Sequence, residues 1–503
     1  MNNSPRVASI HILDDDSLLH VFCQCRPFIL GEDENESSRL YGGGRIWIGG
    51  RWWYRPAHVC QRWRNLILES ASYLGISLVC VEGTPVADML ANSPPLPLFI
   101  DYSKENKDTT ENEEDAILAL MQRDRIRRVR LVTPVSSLPK LIAAMDEEYP
   151  VLEYLIIGTP FEDKRTILIL PEALQAPNLR HLTLIGFTLP IGSRLLTTAV
   201  GLVTLHLVMN DQSAYFRLNA LLHWLSFMPQ LETLAISFYS AVPNRDIERQ
   251  LTITPIITPV TLPNLHHFSF RGVSASLEAL VHWITAPRLE ELDIIFSNQF
   301  TFSIPRFVQF SNALENLRFD SVRFWFYNER VYLQVYLRGE IEMNALIINV
   351  VCCHLDWQVS AVAQISNSFS QLFFEVEHLA FVHETHSRSS EEHNVVDRIE
   401  WRKLLRPFSN VKILQIGDGL VEQLSRCLEL EDGELPLDLL PKLQELMYPG
   451  SDNTDDTFAS FVNARQNADL PVPDQDDPAL VSHAQIFPVI TPGSNEAGSN
   501  LDP

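Results

Sequence analysis

"PNLRHLTLIG", residues 177–186, decides how this chain is read. After the proline and asparagine come an apolar residue, two variable ones, then Leu182, a variable residue and Leu184. In an extended strand successive side chains point to opposite sides, so Leu182 and Leu184 share one face. The phrase recurs as "LEYLII" from Leu152, "LVTLHL" from Leu202, "LETLAI" from Leu231, "LHHFSF" from Leu265, "LEELDI" from Leu289 and "LENLRF" from Leu314. Weaker copies are "IRRVRL" from Ile126, "MNALII" from Met343, "VEHLAF" from Val376 and "VKILQI" from Val411, with a truncated "LQEL" from Leu443. Proline often stands two residues before the phrase, as at Pro150, Pro177, Pro229, Pro263, Pro287 and Pro441.

The copies lie from about 23 to about 35 residues apart, which overlaps and exceeds the spacing of leucine-rich repeats. One such unit cannot bury its apolar side alone, whereas stacked units share an elongated core. The expected fold is therefore α/β: an irregular leucine-rich-repeat solenoid over 119–450, with a curved parallel sheet backed by helices and loops. "NALLHWLSFM" and "SASLEALVHWIT" have helical period and should pack behind the sheet. The asparagine that usually follows such a phrase is clear only at Asn210. An ordinary α/β domain with amphipathic strands is the competing reading.

The chain has 503 residues, long for one compact core unless it is a repeat array, and a net charge of −24. That charge repels phosphate backbones, so no nucleic-acid partner is expected. The one basic stretch, "RDRIRRVRLV" at 123–132, reads as a strand with Ile126, Val129 and Leu131 inward and solvated arginines. Seven scattered cysteines, at 23, 25, 60, 80, 352, 353 and 427, include no Cys-x-x-Cys and suit reduced thiols. The N-terminus lacks an apolar leader core, and no apolar run reaches the roughly 18 residues of a membrane span. The expectation is a cytoplasmic or nuclear protein, away from membranes and monomeric on its own.

Ahead of the repeats, "ILDDDSLLHVFCQC" at 12–25 starts with carboxylates that suit a helix N-terminus and continues with Leu18, Val21, Phe22 and Cys25 at helical spacing. Next comes a polar, Gly-rich insertion at about 26–50; its "GGG" lacks the Gly-Lys-Ser/Thr of a phosphate loop. Residues 57–74 read as a second helical region in which Val59, Trp63, Leu66 and Ile67 share a face. "LVCVEGTPVADMLANSPPLPLFIDY" reads as strand, turn, short helix, Pro-rich turn and strand. A polar linker is expected over 103–118 and an acidic, mostly disordered tail over 451–503, with a short helix at 455–465.

"LDDDSLLHVF" at 13–22 is similar to the first helix of an F-box, and "HVCQRWRNLI" at 58–67 resembles its second part. The segment up to about residue 102 further resembles the stretch C-terminal to the F-box in large mushroom-type fungal F-box families. The resemblance implies a substrate receptor of a cullin-RING ubiquitin ligase. It would dock on a Skp-type adaptor through Leu13, Leu18, Leu19, Val21 and Phe22 of the first helix and Val59, Cys60, Trp63 and Leu66 of the second part. Where the family pattern has Leu-Pro, this chain has Leu13-Asp14. A domain of this size cannot bury all its apolar surface, so Trp63 would fill the small core while neighbours meet the partner. Arg62 and Arg64 would flank the patch and favour an acidic adaptor, and Trp52 and Trp53 would cover the same core. The alternative is a leucine-rich interaction scaffold whose degenerate F-box joins no ligase.

The variable positions of the repeats are expected to line the concave face and bind a protein substrate. They are His181, Thr183, Thr204, His206, Thr233, His267, Ser269, Arg271, Glu291, Asp293, Asn316 and Arg318. His383, Glu384, His386 and His393 do not have the H-E-x-x-H spacing of a zinc protease. "VCCHLDW" at 351–357 reads as a buried strand, because adjacent ligands cannot easily hold one tetrahedral metal. No catalytic constellation, metal or cofactor is expected, and the chain is read as a non-catalytic receptor.

Overall fold

A computed structural model describes residues 13–25, 52–103, 113–159, 168–188, 192–209, 218–238, 259–297, 299–314, 319–337, 344–384, 396–429, 438–449 and 458–466. The Gly-rich insertion, Asn316, Arg318, His386, His393 and most of the acidic tail lie outside these residues. The chain divides into two compact units at Leu202/Val203, inside the span expected to be a single array.

The first unit begins with helices α1 (Asp15–Gln24), α2 (Tyr54–Ala57), α3 (Gln61–Glu69) and α4 (Ala71–Leu74). Five strands of one parallel sheet come after them, β1 (Leu78–Val81), β2 (Leu98–Ser103), β3 (Ile126–Val132), β4 (Tyr154–Gly158) and β5 (His181–Ile185), beside a separate two-residue pair, Leu168–Ile169 with Phe187–Thr188. The five pair in chain order, all parallel. Parallel neighbours need crossover connections. Helices Val86–Asn92, Glu113–Leu120 and Leu138–Ala143 stand in the first three. The second of these helices replaces the last six residues of the expected linker, because its Ala116, Ala119 and Leu120 are buried. One row of the sheet, Cys80, Ile100, Val129, Leu155 and Leu182, is wholly buried. A bulge where β3 meets β2 at Leu98/Phe99 lets both Ile126 and Val129 face inward despite their odd spacing. The arginines of this strand are not simply solvated. Arg130 lies 3.7 Å from Asp101, both mostly buried, and Arg128 lies over the rings of Phe99 and Tyr154. Burial raises the Asp101 pKa, and Arg130 opposes that rise.

The second unit holds β6 (Thr204–Met209), β7 (Thr233–Phe238), β8 (His267–Gly272), β9 (Glu291–Ser297), β10 (Ser321–Tyr327), β11 (Arg330–Tyr336), β12 (Asn344–Val351), β13 (His378–His383), β14 (Ile413–Ile416) and β15 (Glu445–Met447). Their spatial order is β6-β7-β8-β9-β12-β11-β10-β13-β14-β15. All pairs are parallel except those of β11, which runs antiparallel to β10 and β12. The sequence suggested an uninterrupted parallel array; instead "SVRFWFYNERVYLQVY" folds as a hairpin. Its alternating apolar pattern and two-residue Asn328-Glu329 turn explain this.

Wherever a phrase lies within the described residues, it falls on a strand. Their middle apolar residues line up across the second unit as Leu205, Leu234, Phe268, Leu292 and Leu346, and again as Leu379, Leu414 and Leu446. Val335 and Val322 of the hairpin complete this buried row. Each such side chain contributes about 1.5–3 kcal/mol through its removal from water. Backbone bonding repeats with the phrase. The carbonyl of each second residue accepts two N–H groups from the next copy: Glu153 from Arg180 and His181, Glu232 from His266 and His267, Glu377 from Lys412 and Ile413.

An asparagine before the phrase also recurs. Asn178, Asn264 and Asn410 donate through Nδ2 to the carbonyls of Pro150, Pro229 and Phe374, at 2.5, 3.1 and 2.6 Å. Each acceptor stands two residues ahead of the preceding phrase.

The segments expected to be helical behind the sheet are so at Leu218–Leu225 and Ser274–Val281. Helix Arg398–Leu405 brings the buried Trp401 against Phe326 and Phe381, with ring centroids 5.7 and 5.8 Å apart. "VCCHLDW" is not a strand: β12 ends at Val351 and a helix, Leu355–Ser368, starts after His354. Cys352 is buried there and Cys353 exposed. In the tail, helix Ala459–Gln466 carries the fully buried Arg465. Its guanidinium donates to the carbonyls of Leu440, Pro441 and Leu443 at 3.1, 3.1 and 3.3 Å.

Candidate functional site: an apolar helical surface and a polar sheet face

α1 is started by Asp14. Its carboxylate accepts the Ser17 N–H at 2.7 Å, while Asp15 and Asp16 occupy the first turn. That hydrogen bond holds the Asp14 carboxyl below its ordinary pKa. The residue in the place of the family's proline thus caps the helix. Leu18 and Phe22, one turn apart, face inward; so do Trp63 and Ile67 of α3. The Phe22 and Trp63 rings meet edge-on with centroids 5.0 Å apart.

The nine residues assigned to adaptor docking therefore separate by burial. Leu18, Phe22 and Trp63 form the core. Leu19, Cys60 and Leu66 are half-buried. Leu13, Val21 and Val59 are exposed by 36%, 38% and 57%. Val59 does not share the inward face of Trp63 and Ile67, because it precedes the first helical residue, Gln61, and is out of phase with α3. Trp53 is buried and its indole N–H reaches the Ser77 carbonyl at 3.2 Å, while Trp52 is half-buried.

The two arginines do not stand free beside the patch. Arg62 donates to Asp15 Oδ1 and to the Leu13 carbonyl, both at 2.7 Å, tying α3 to the start of α1. Arg64 donates to the Ala57 carbonyl at 3.1 Å. The geometry thus gives these side chains an internal role.

The repeat-face residues fall into both units. In the first, His181 is exposed, 5.7 Å from the Tyr154 ring, and Thr183 is buried. In the second, register sets Thr204, Thr233, His267 and Glu291 side by side, and His206 in line with Ser269 and Asp293. His267 Nδ1 lies 2.9 Å from Glu291, and the Ser269 hydroxyl donates to Asp293 at 3.3 Å. Arg271 is half-buried in the next row. These side chains largely pair with one another.

Sequence reasoning missed the same face of the hairpin. There Arg323 lies over the rings of Trp325 and Tyr336, and Tyr327 meets Tyr332 at 5.5 Å. The period-2 alternation of 321–336 was the available signal.

Among the described residues no group of three His, Cys, Asp or Glu is gathered to hold a metal, and no helix is long and apolar enough to cross a membrane. Burial pushes the Cys352 thiol up to about 12, which keeps it protonated and unreactive. Compared with protein-family models the chain matches none, and a search of curated proteins gives no match. Fold and site define a mixed α/β protein with largely parallel sheets, a few exposed apolar side chains about the helices of its first unit and a polar, aromatic sheet face in its second.

Proposed function

We propose that the chain is the substrate-recognition subunit of a cullin-RING ubiquitin ligase. Its first helices act as an F-box that docks on a Skp-type adaptor, and its irregular leucine-rich solenoid holds a protein substrate. The carrying observation is a division by burial: Leu18, Phe22 and Trp63 of α1 and α3 fill a core, while Val21 of α1 and, just ahead of the two helices, Leu13 and Val59 stay exposed. A small helical domain that keeps apolar side chains outward has a surface suited to a partner. Asp14 as a helix cap supports the reading, since the departure from Leu-Pro leaves the helix start intact. The recurring strand, carbonyl and asparagine pattern supports the solenoid.

The test is capture of a purified Skp-type adaptor by the full chain, beside a Val21→Asp, Val59→Asp double variant. Capture by the parent and its loss in a folded variant supports the role. No capture by the folded parent sinks it and leaves an interaction scaffold with a degenerate F-box.

A further inference from the structure

We propose that the face of β8–β12 opposite the core binds an extended acidic peptide, anchored by a carboxylate at Arg323. The proposal rests on the reading of the second unit as the substrate-binding part and names the chemistry of what it holds. Along this face one row reads Trp325, Tyr332, Asn349, Ile295 and Arg271 on adjacent strands, and the next reads Arg323, Gln334, Ile347 and Asp293.

Arg323 is half-buried, with its guanidinium carbon 5.6 Å from the Trp325 ring centre and 5.1 Å from that of Tyr336. The rings fix its position without neutralising its charge, and a stacked guanidinium keeps its N–H edge for a planar anion. Among the described residues no carboxylate lies within ion-pair reach of it. Beside it the Trp325 indole N–H is buried and has no acceptor among the described residues. Two strands away, Asn349 is 1% exposed and its Oδ1 has no donor among them. A buried polar atom left without a partner is costly, so each marks a place for a complementary group.

The set asks for an anionic acceptor at Arg323 and Trp325 and an N–H donor at Asn349. A peptide offers both along one chain; a bare anion offers only the first. The half-buried Ile347 supplies an apolar contact between them, beside the largely buried Ile295. At roughly 4.8 Å per strand, the row from Trp325 to Arg271 spans about 19 Å, the length of about six extended residues. The chain carries a net charge of −24, so an Arg323 with no carboxylate beside it among the described residues is a local exception that fits an acidic partner.

The experiment is fluorescence anisotropy with the full chain and a fluorescein-labelled hexapeptide of alternating glutamate and valine. The controls are its glutamine analogue and a labelled thymidine hexanucleotide. The acidic peptide should bind at least tenfold more tightly than either control. Arg323→Gln should lose at least tenfold, and Trp325→Phe, which keeps an aromatic ring but removes the indole N–H, several-fold, with both variants still folded. Equal binding of the glutamine peptide, undiminished binding by a folded Arg323→Gln variant, or tighter binding of the oligonucleotide would overturn the proposal. Adaptor capture by the same preparation reads the ligase role separately. Failure with the peptide alone removes this site; failure with the adaptor alone removes that role and leaves the site.

Discussion

The Phe22 ring meets the Trp63 indole edge-on, with centroids 5.0 Å apart and planes inclined at 67°. This contact joins the two helices next to which the exposed candidates Leu13, Val21 and Val59 lie, and it separates folding from binding in mutants.

Trp63→Ala should destabilise the first unit by about 3–5 kcal/mol, because a large core ring is lost and a cavity left. Val59→Asp, at an exposed site, should change stability by less than about 0.5 kcal/mol while removing adaptor capture. Denaturant melts beside pull-downs separate the two. A variant lacking Leu18 or Trp63 cannot serve as a binding control, since both are buried.

Arg465 donates to several backbone carbonyls just ahead of β15. Arg465→Ala leaves those acceptors unsatisfied inside the fold and should cost at least about 3 kcal/mol. Arg465→Lys should recover little, since an ammonium cannot fork across the same carbonyls. Urea midpoints of the two variants against the parent provide the check.

His383 packs against Gly419, where an added Cβ would come within 2.5 Å of its Nδ1. Gly419→Ala should therefore displace the imidazole and lower the melting temperature. Burial also holds the His383 pKa below its ordinary 6.5. The unfolded chain takes up this proton first, so the associated stability is full above about pH 6.5 and declines as pH falls toward the folded value. The drop in urea midpoint between pH 7.5 and pH 5.5 should be smaller in His383→Gln than in the parent.

The asparagines ahead of the phrases reach back one copy. Asn264 donates to the Pro229 carbonyl and to Gln230 and accepts from Arg288, so Asn264→Ala should cost about 1–2 kcal/mol, the worth of a few ordinary hydrogen bonds near solvent. Amide exchange at Leu265 and His266 should quicken more than at residues of β13.

Strand positions were legible in the chain because burial on a sheet repeats every second residue, and the phrase from Leu179 writes that period plainly. The inward pair Leu18 and Phe22 was legible for the same reason at helical spacing. The asparagine ladder could have been read from the "PN" before Leu179 and Leu265. The internal use of Arg62 could not, since Asp15 is 47 positions away. The alternation and short turn of 321–336 signal a hairpin, but only the tertiary structure placed β11 and β10 between β12 and β13, because strand order depends on which edges meet and local period is blind to that. It alone left Arg323 without a carboxylate among the described residues while His267 found Glu291, since pairing across a sheet depends on register between distant segments. By itself the sequence determined which residues avoid water; the folded arrangement decided which polar groups found one another.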